Sequence, residues 1–480
     1  MSFKLVCASV LFFACAYAFA LSRRLGRSRF VPHKHRSRPF PSEEKLLQES
    51  SNWRQIDVLE GSGVEEPTGK RYLVTGASGS FGVWLVQILQ RRGERHIYCL
   101  DLAPLPSLVS GLEGVHYFKC NITSKDEVKA AFEIAQPDVV FHIAANIRFW
   151  ERARFTYRYS EAVNVGGTRN VLEALQQTTT GASEKQLLYC SSAAVQLPAP
   201  LLMRLGFNFV DYASTFTLSD DRQIPDQHRA EHDYAISKTE ADRLVREADG
   251  KGNIRTGVLR PGMTICSPTD QVFGAMMRQP SNPFFGGSYA QNSINSQDLA
   301  VAFLKYESAL RERPQEVAGE AFLVTGDPEL WTWKEQIEAL QLFSKRDLKI
   351  GPIHPFPLYL IAHVVEWFCF ARYYLLVALY ALLGKEGVPS PHPKWMEPLR
   401  LHHIQPAMWN TLFSDVEIDD SRARKMLGYQ NRFSNAQTIR WIAESNEASC
   451  TSVNEKVSQT QSNSPIMPPL NGLTDLLKEE

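Results

Sequence analysis

Paired cysteine spacing, metal-ligand clusters, an excess of either charge and internal repeats are all missing from this chain of 480 residues. Its eight cysteines are scattered, and Cys99, Cys120, Cys190 and Cys266 fall in or beside apolar runs, where a free thiol behaves as a small core residue. That excludes a disulfide scaffold and fits a reducing compartment. Basic and acidic residues balance at 52 each, so no global electrostatic argument favours nucleic acid. His402 and His403 lack carboxylates or thiols at ligand spacing, which removes the case for a metal site. Arg152, Arg154 and Arg158 read as solvated charges. Long uncharged runs are scarce too, with one at 5–21 and a broken one within 355–384.

The first of these runs has only Lys4 before it, while Arg23, Arg24, Arg27, Arg29, Lys34, Arg36 and Arg38 follow. Two readings stand. Ala18-Phe19-Ala20 could end a cleaved secretory signal, or residues 1–22 form an uncleaved membrane anchor just long enough to span. Charge on the C-terminal side keeps the body of the protein cytosolic by the positive-inside rule, which agrees with unpaired cysteines and favours the anchor. Residues 23–68, basic and then polar, read as a linker.

From Lys70 the pattern becomes alternating strand and helix. Strands are expected at 72–74, 96–100, 115–120, 138–144, 186–190 and 256–260, with another at 322–325. Helices are expected at 125–135, 161–177 and 234–247, and one starting near Trp331. Repeated units of this length imply an α/β fold, a Rossmann-type doubly wound parallel sheet that binds ligands beyond the strands' C-terminal ends. Residues 69–270 form the expected nucleotide-binding domain, and 271–444 a smaller substrate-binding region. Within the latter, 355–384 is apolar but interrupted by His363, Glu366 and Arg372. It reads as membrane-associated helices that lie on or dip into the bilayer or cover a lipophilic pocket; a second span and a buried helix pair remain alternatives. Residues 445–480 read as a disordered tail.

Thr75-Gly76-Ala77-Ser78-Gly79-Ser80-Phe81-Gly82 joins the first strand to a helical stretch beginning at Val83. Strand, glycine turn and helix in that order suit a dinucleotide pyrophosphate. Gly76 permits the turn, Gly79 lets the backbone approach phosphate, and Gly82 allows close packing, while the helix start faces the anion. Asp101 ends the second strand 25 residues after Gly76, where a carboxylate reaches the adenosine ribose hydroxyls. It would repel a 2′-phosphate, and no Arg or Lys follows it, so NAD is favoured over NADP. The sequon Asn121-Ile122-Thr123 falls inside this domain and reads as coincidence.

Among 16 tyrosines only Tyr234 has a lysine four residues later, Lys238. On a helix the two side chains share a face, and an ammonium beside a phenol lowers its pKa, as a proton acceptor for an alcohol requires. Ser191 and Ser192 follow the fifth strand, where a hydroxyl can hold the reacting oxygen or, equally, cap a turn.

With these elements in this order the chain resembles the extended form of the short-chain dehydrogenase/reductase superfamily. It looks most like the branch of 3β-hydroxysteroid dehydrogenases and decarboxylating sterol-4-carboxylate 3-dehydrogenases. The likeness spans 72–429 and rests on the glycine turn, Asp138-Val139-Val140-Phe141-His142-Ile143-Ala144-Ala145, and Asn164-Val165-Gly166-Gly167-Thr168-Arg169-Asn170-Val171. It also rests on Ser191-Ser192-Ala193, the Tyr234/Lys238 pair, Leu259-Arg260-Pro261-Gly262 and 319–325. The resemblance implies that Tyr234 is the general acid/base, that Lys238 binds ribose and depresses the phenol's pKa, and that Ser192 positions the substrate oxygen. It further implies NAD contacts from Gly76, Ser78, Gly79, Phe81, Gly82, Asp101, Asn121, Ile122, Ala144, Ala145, Tyr234, Lys238 and Pro261. The chain departs from the pattern at Ala77 and Ser80-Phe81, at Asn121 in place of Asp, and in the 42-residue interval from Ser192 to Tyr234. That interval carries an apolar insertion at 197–207 that could be a lid or a membrane contact.

The implied activity is NAD-dependent oxidation of the 3-hydroxyl of a sterol, steroid or related terpenoid, with or without loss of a C4 carboxylate. The expected setting is the endoplasmic reticulum membrane, with the catalytic domain facing the cytosol. A homodimer stays open and no nucleic acid partner is expected. The alternatives are a reductase or epimerase acting on another lipophilic or sugar substrate, and a non-catalytic NAD-binding membrane scaffold.

Overall fold

The computed structural model describes residues 40–178, 184–197, 215–220, 232–279, 281–284, 287, 289–398, 400–412 and 414–458, with helical positions at 12, 15, 16, 18, 19 and 22. The anchor and its basic flank thus fall almost wholly outside the described residues, as do most of the apolar insertion and the chain beyond 458.

The apolar runs fold as seven parallel strands: β1 (Arg71–Thr75), β2 (His96–Asp101), β3 (Val115–Lys119), β4 (Val139–His142), β5 (Lys185–Cys190), β6 (Ile254–Pro261) and β7 (Ala321–Val324). Their order is β7-β6-β5-β4-β1-β2-β3, reversing direction at the β4/β1 boundary. Tyr72 to Thr75 are buried whichever way they point, as expected of a strand covered on both faces. Tyr72, Val74 and Phe141 pack with helices α1 (Gly82–Arg91) and α6 (Ser296–Glu312). Leu73, Val140 and Leu187 pack with α2 (Lys125–Ala135), α4 (Thr168–Gln177) and α5 (Asp233–Glu247). The last strand and α6 both come from beyond residue 270, so the sheet's layers draw on the segment expected to hold substrate.

Several expectations change in detail. The helix expected at 161–177 begins earlier as α3 (Arg154–Ser160), runs through a π-helical segment, Glu161–Gly167, and continues as α4. Gly166 and Gly167 let the backbone widen there, and such segments concentrate at functional sites. The expected disordered tail does not start at 445, because helix α9 (Asn435–Ser458) continues past that point, with buried Asn446 donating to the Pro268 carbonyl. The helix foreseen near Trp331 is α7 (Trp333–Phe343), closed by a capping box between Thr332 and Glu335.

Residues 355–384 contain one helix rather than several, α8 (Pro355–Leu382). Its prolines occupy the first turn, where they are tolerated, and no glycine or proline follows inside it. Its 28 residues, including an 18-residue stretch with a mean hydropathy of 1.4, are long and apolar enough to cross a membrane. Glu366 nevertheless accepts hydrogen bonds from Arg152 Nε and Nη2, each at 2.7 Å, and Tyr373 stacks on Phe155 of α3 at 4.0 Å. Arg152 is therefore paired rather than solvated, and Arg158 donates to the Tyr159 hydroxyl and the Pro389 carbonyl. The opposite face exposes Val364, Trp367, Leu375 and Leu382.

The cysteines described, Cys15, Cys99, Cys120, Cys190, Cys266 and Cys369, are all free. Among the described residues no cluster could hold a metal ion, and His402 and His403 instead stack with His392 and Trp150.

Candidate active site

At the C-terminal ends of the strands the loops enclose a cavity of about 610 Å³. The glycine turn forms one wall. Gly76 has φ +74°, a left-handed conformation costly for other residues, and a Cβ there would lie 2.8 Å from Ala144 Cα. A Cβ at Gly82 would strike the Gly76 carbonyl and come within 2.7 Å of Ala77 Cα. The turn and the helix start are thus pressed together and against the end of β4. Helix α1 has no side-chain cap, so its first N–H groups border the cavity at Ser80, Phe81 and Gly82. Asp101 accepts the Ser78 amide at 3.0 Å and the Ala103 amide at 3.1 Å, setting a carboxylate beside the turn.

Next to that wall, buried His142 bridges Thr75 Oγ1 at 2.7 Å and Thr168 Oγ1 at 2.9 Å. Thr75 Oγ1 in turn accepts the Ile143 and Ala144 amides, which places Ala144 and Ala145 along the cavity. Burial pushes the His142 imidazole down to about 3, so it is a neutral structural link. Asn164, at the π-helical segment, joins this region to the next by donating to Ser237 Oγ at 2.8 Å and accepting the Asn146 amide.

The opposite wall is helix α5. Its Tyr234 and Lys238 line the cavity with Ser192, which follows β5. Lys238 is 1% exposed; its Nζ donates to the Cys190 carbonyl at 2.7 Å and lies 6.0 Å from the Tyr234 ring centre. Burial lowers its pKa to about 8, opposed by Cys190 and Asp242. The expectation that this ammonium depresses the phenol is not met. Burial drives the Tyr234 pKa above its ordinary value, Cys190 adds to the rise, and the Ser192 hydroxyl alone opposes it. The reason is geometric, because the lysine's hydrogen bond holds it on the carbonyl behind the ring. Ser192 Oγ also accepts the Ala194 amide at 3.2 Å, so the turn-cap reading of this serine and its place on the wall are both realised.

Every residue expected at the site lines this one cavity: Gly76, Ser78, Gly79, Phe81, Gly82, Asp101, Asn121, Ile122, Ala144, Ala145, Ser192, Tyr234, Lys238 and Pro261. Asn121 does so while its Oδ1 accepts the Thr123 amide and hydroxyl within its own turn. Residues beyond that set lie here too. His232 caps α5, Ser191 has a buried hydroxyl without a partner among the described residues, and Phe149, Met263 and Leu412 add apolar side chains to a lining that also includes Asp270, Gln271 and Gln291. His232 carried a sequence signal, because a polar residue directly before a helix is a cap candidate, but nothing local shows that its ring faces a cavity.

A dinucleotide fits these walls. The glycine cradle leaves no room for a Cβ, uncapped N–H groups border it, a carboxylate stands at the turn, and an orphaned hydroxyl awaits a partner.

Comparison with known proteins agrees with this arrangement. Residues 72–279 match the NAD dependent epimerase/dehydratase family. The chain is 25% identical over 382 residues to the Arabidopsis thaliana 3beta-hydroxysteroid-dehydrogenase/decarboxylase isoform 1, covering 74% of this chain and 75% of that one. It is 24% identical over 379 residues to the decarboxylating sterol-4-alpha-carboxylate 3-dehydrogenase of Candida albicans, covering 75% and 92%. A solved UDP-glucose-4-epimerase from Stenotrophomonas maltophila, with bound NAD and formylated UDP-arabinopyranose, shares the fold with a TM-score of 0.54 at 14% identity, covering 80% and 99%.

Proposed function

From a domain of the NAD dependent epimerase/dehydratase family at residues 72–279, we propose a membrane-associated, NAD-dependent dehydrogenase that oxidises the 3-hydroxyl of a sterol, steroid or related terpenoid. The observation that carries this reading is the convergence of Ser192, Tyr234 and Lys238 with the glycine turn on one cavity, to which Phe149, Met263, Ile265, Trp333 and Leu412 add apolar lining. A nucleotide-sugar substrate is disfavoured, because Lys238 is the sole Lys or Arg among the described residues lining the cavity and a second diphosphate would go unneutralised.

The roles follow from position. Gly76, Ser78, Gly79, Phe81 and Gly82 would hold the pyrophosphate, and Asp101 would take the adenosine ribose, with Asn121 and Ile122 contributing to that part of the site. Ala144, Ala145 and Pro261 would flank the rest of the cofactor. NAD, when bound, supplies the two-electron acceptor. Tyr234 exchanges the proton of the carbinol oxygen, and Ser192 holds that oxygen and favours phenolate by its hydrogen bond. Lys238 keeps positive charge behind the phenol and offers its remaining N–H groups to the ribose. Residues 69–270 would then act as the nucleotide-binding unit and 271–444 as the part that shapes the substrate pocket. The outer face of α8 and an anchor at 1–22 would keep the enzyme on the endoplasmic reticulum membrane, facing the cytosol, where a lipophilic substrate arrives.

The test is incubation of the membrane-bound protein with NAD⁺ and a sterol panel that includes 4-carboxysterols, followed by mass spectrometry. A 3-ketone should form with wild type and fall by at least about a thousandfold with Tyr234→Phe, while NAD still binds. Equal turnover by the variant, or no ketone from any substrate, would remove the reading.

A further inference from the structure

Asn446 falls within 445–480, the stretch whose composition reads as a tail, yet it is 8% exposed. Its side-chain amide donates to the Ile442 carbonyl one turn back and to the Pro268 carbonyl, both at 2.9 Å. Two carbonyl acceptors fix which way the amide faces, because its NH₂ end alone can donate. Pro268 belongs to the segment 267–272, in which Asp270, Gln271 and Val272 line the cavity. Other hydrogen bonds shape this segment from within. The Asp270 carboxylate accepts the Ser267, Val272 and Gly274 amides, and Arg278 donates to the Pro268 and Asp270 carbonyls. Those bonds all lie between residues 267 and 278, so they hold the segment's shape without tying it to another layer. The bond from Asn446 does tie it, from a helix 178 residues away in sequence. Phe273, directly after the segment, packs on Trp333, which lines the cavity from the part of the chain that shapes the substrate pocket.

Helix α9 can act as a fixed post because it is fastened on sides that do not involve the cavity. Trp441 meets Trp84 of α1 edge-on, with ring centres 4.7 Å apart. Glu444 accepts Trp53 Nε1 at 3.2 Å and Arg54 Nη2 at 2.6 Å, and Arg440 donates to the Leu47 carbonyl and the Ser50 hydroxyl. Glu447 accepts the Lys345 amide just past α7. We propose that Asn446 is a substrate-positioning residue, which acts from outside the cavity by pinning the wall at 267–272 to α9. This rests on the dehydrogenase reading above and adds to it a residue that touches neither substrate nor cofactor. A wall held by such an outer hydrogen bond is already in place when substrate arrives, whereas a loose one must be ordered by the substrate at the expense of affinity.

Four measurements on full-length protein in membranes test this: kcat and KM for a sterol that wild type oxidises, the NAD dissociation constant, melting temperature, and hydrogen–deuterium exchange. Asn446→Leu keeps the volume and removes the donor, and Asn446→Ala removes both, so a folding failure of one leaves the other to be read. Glu444→Ala is the control, since it cuts the bonds from α9 to residues 53 and 54 and leaves the Pro268 contact alone. Either Asn446 variant should raise the sterol KM about fivefold, with kcat and NAD binding within about twofold of wild type. Peptides covering 267–278 should exchange at least about fivefold faster, while those of the glycine turn stay as in wild type. Glu444→Ala should lower the melting temperature with the sterol KM unchanged. An unchanged sterol KM in the Asn446 variants would overturn the proposal while leaving the dehydrogenase reading intact. So would an equal rise in KM and in the NAD dissociation constant, or the same KM rise in Glu444→Ala. If wild type oxidises no sterol, the dehydrogenase reading and the substrate role fall together, and exchange alone decides whether Asn446 pins the wall.

Discussion

At the residue scale, the site divides into groups whose types alone are informative and groups whose meaning comes from contacts. Asp101 belongs to the first kind. A carboxylate at the end of β2 is expected to bind ribose hydroxyls, and its bonds to the Ser78 and Ala103 amides hold it beside the glycine turn. Asp101→Ala should therefore weaken NAD at least about tenfold more than NADP, since it removes both a charge-assisted acceptor and the repulsion of a 2′-phosphate. Fluorescence titration of the two dinucleotides measures this, and an unchanged preference would end the ribose role. Tyr234 belongs to the second kind. Its spacing from Lys238 suggests a depressed phenol, but the buried lysine spends its hydrogen bond on the Cys190 carbonyl and desolvation of the ring dominates. Sequence spacing reports which side chains share a helix face and says nothing about how much water is left around them.

At the scale of elements, α2 was legible to the residue, because Ser124 caps it, its apolar positions recur at helical spacing, and the turn after Ala135 closes it. Helix α8 was not. Three ionisable residues in an apolar stretch suggested broken helices, but Glu366 is paired with Arg152 and Arg372 donates to the Ser390 carbonyl, so neither interrupts the backbone. Those partners are distant in sequence and become visible only after folding. The charges and Tyr373 face the protein body, whereas Trp367 is 71% exposed on the other side. If that face meets lipid, vesicles with brominated acyl chains should quench tryptophan fluorescence in wild type, and Trp367→Phe should remove a substantial part of the quenching. Wild-type fluorescence insensitive to brominated lipid would dismiss the contact.

At the scale of the whole molecule, buried acids couple stability to pH. Asp233, next to Tyr234, has its pKa raised to about 7 by burial, against a hydrogen bond from Thr156 that lowers it. Burial likewise raises Asp298 to about 7 and Asp270 to about 6. A carboxyl whose folded pKa exceeds its unfolded value of about 3.9 binds its proton more tightly when folded. The stabilisation is therefore complete below the unfolded pKa and is lost as pH rises through the folded one. Asp233→Asn keeps an acceptor for Thr156 and removes the titration. Melting temperature should fall less steeply between pH 4 and 7 in the variant than in wild type. Parallel curves would show that Asp233 does not titrate as its surroundings imply.

By itself the chain's order of residues determined the parallel α/β architecture, the glycine turn and a set of residues that come to line one cavity. Each of these is carried by local patterns, namely buried strands, a helix start and a Tyr/Lys pair on one face. Tertiary structure decided what those patterns leave open: β7 and α6 joining the sheet from beyond residue 270, α8 lying as one helix against α3, and His232 turning from cap to cavity wall. These depend on partners tens to hundreds of residues apart and on burial, and burial is a property of the assembled layers that no single segment contains.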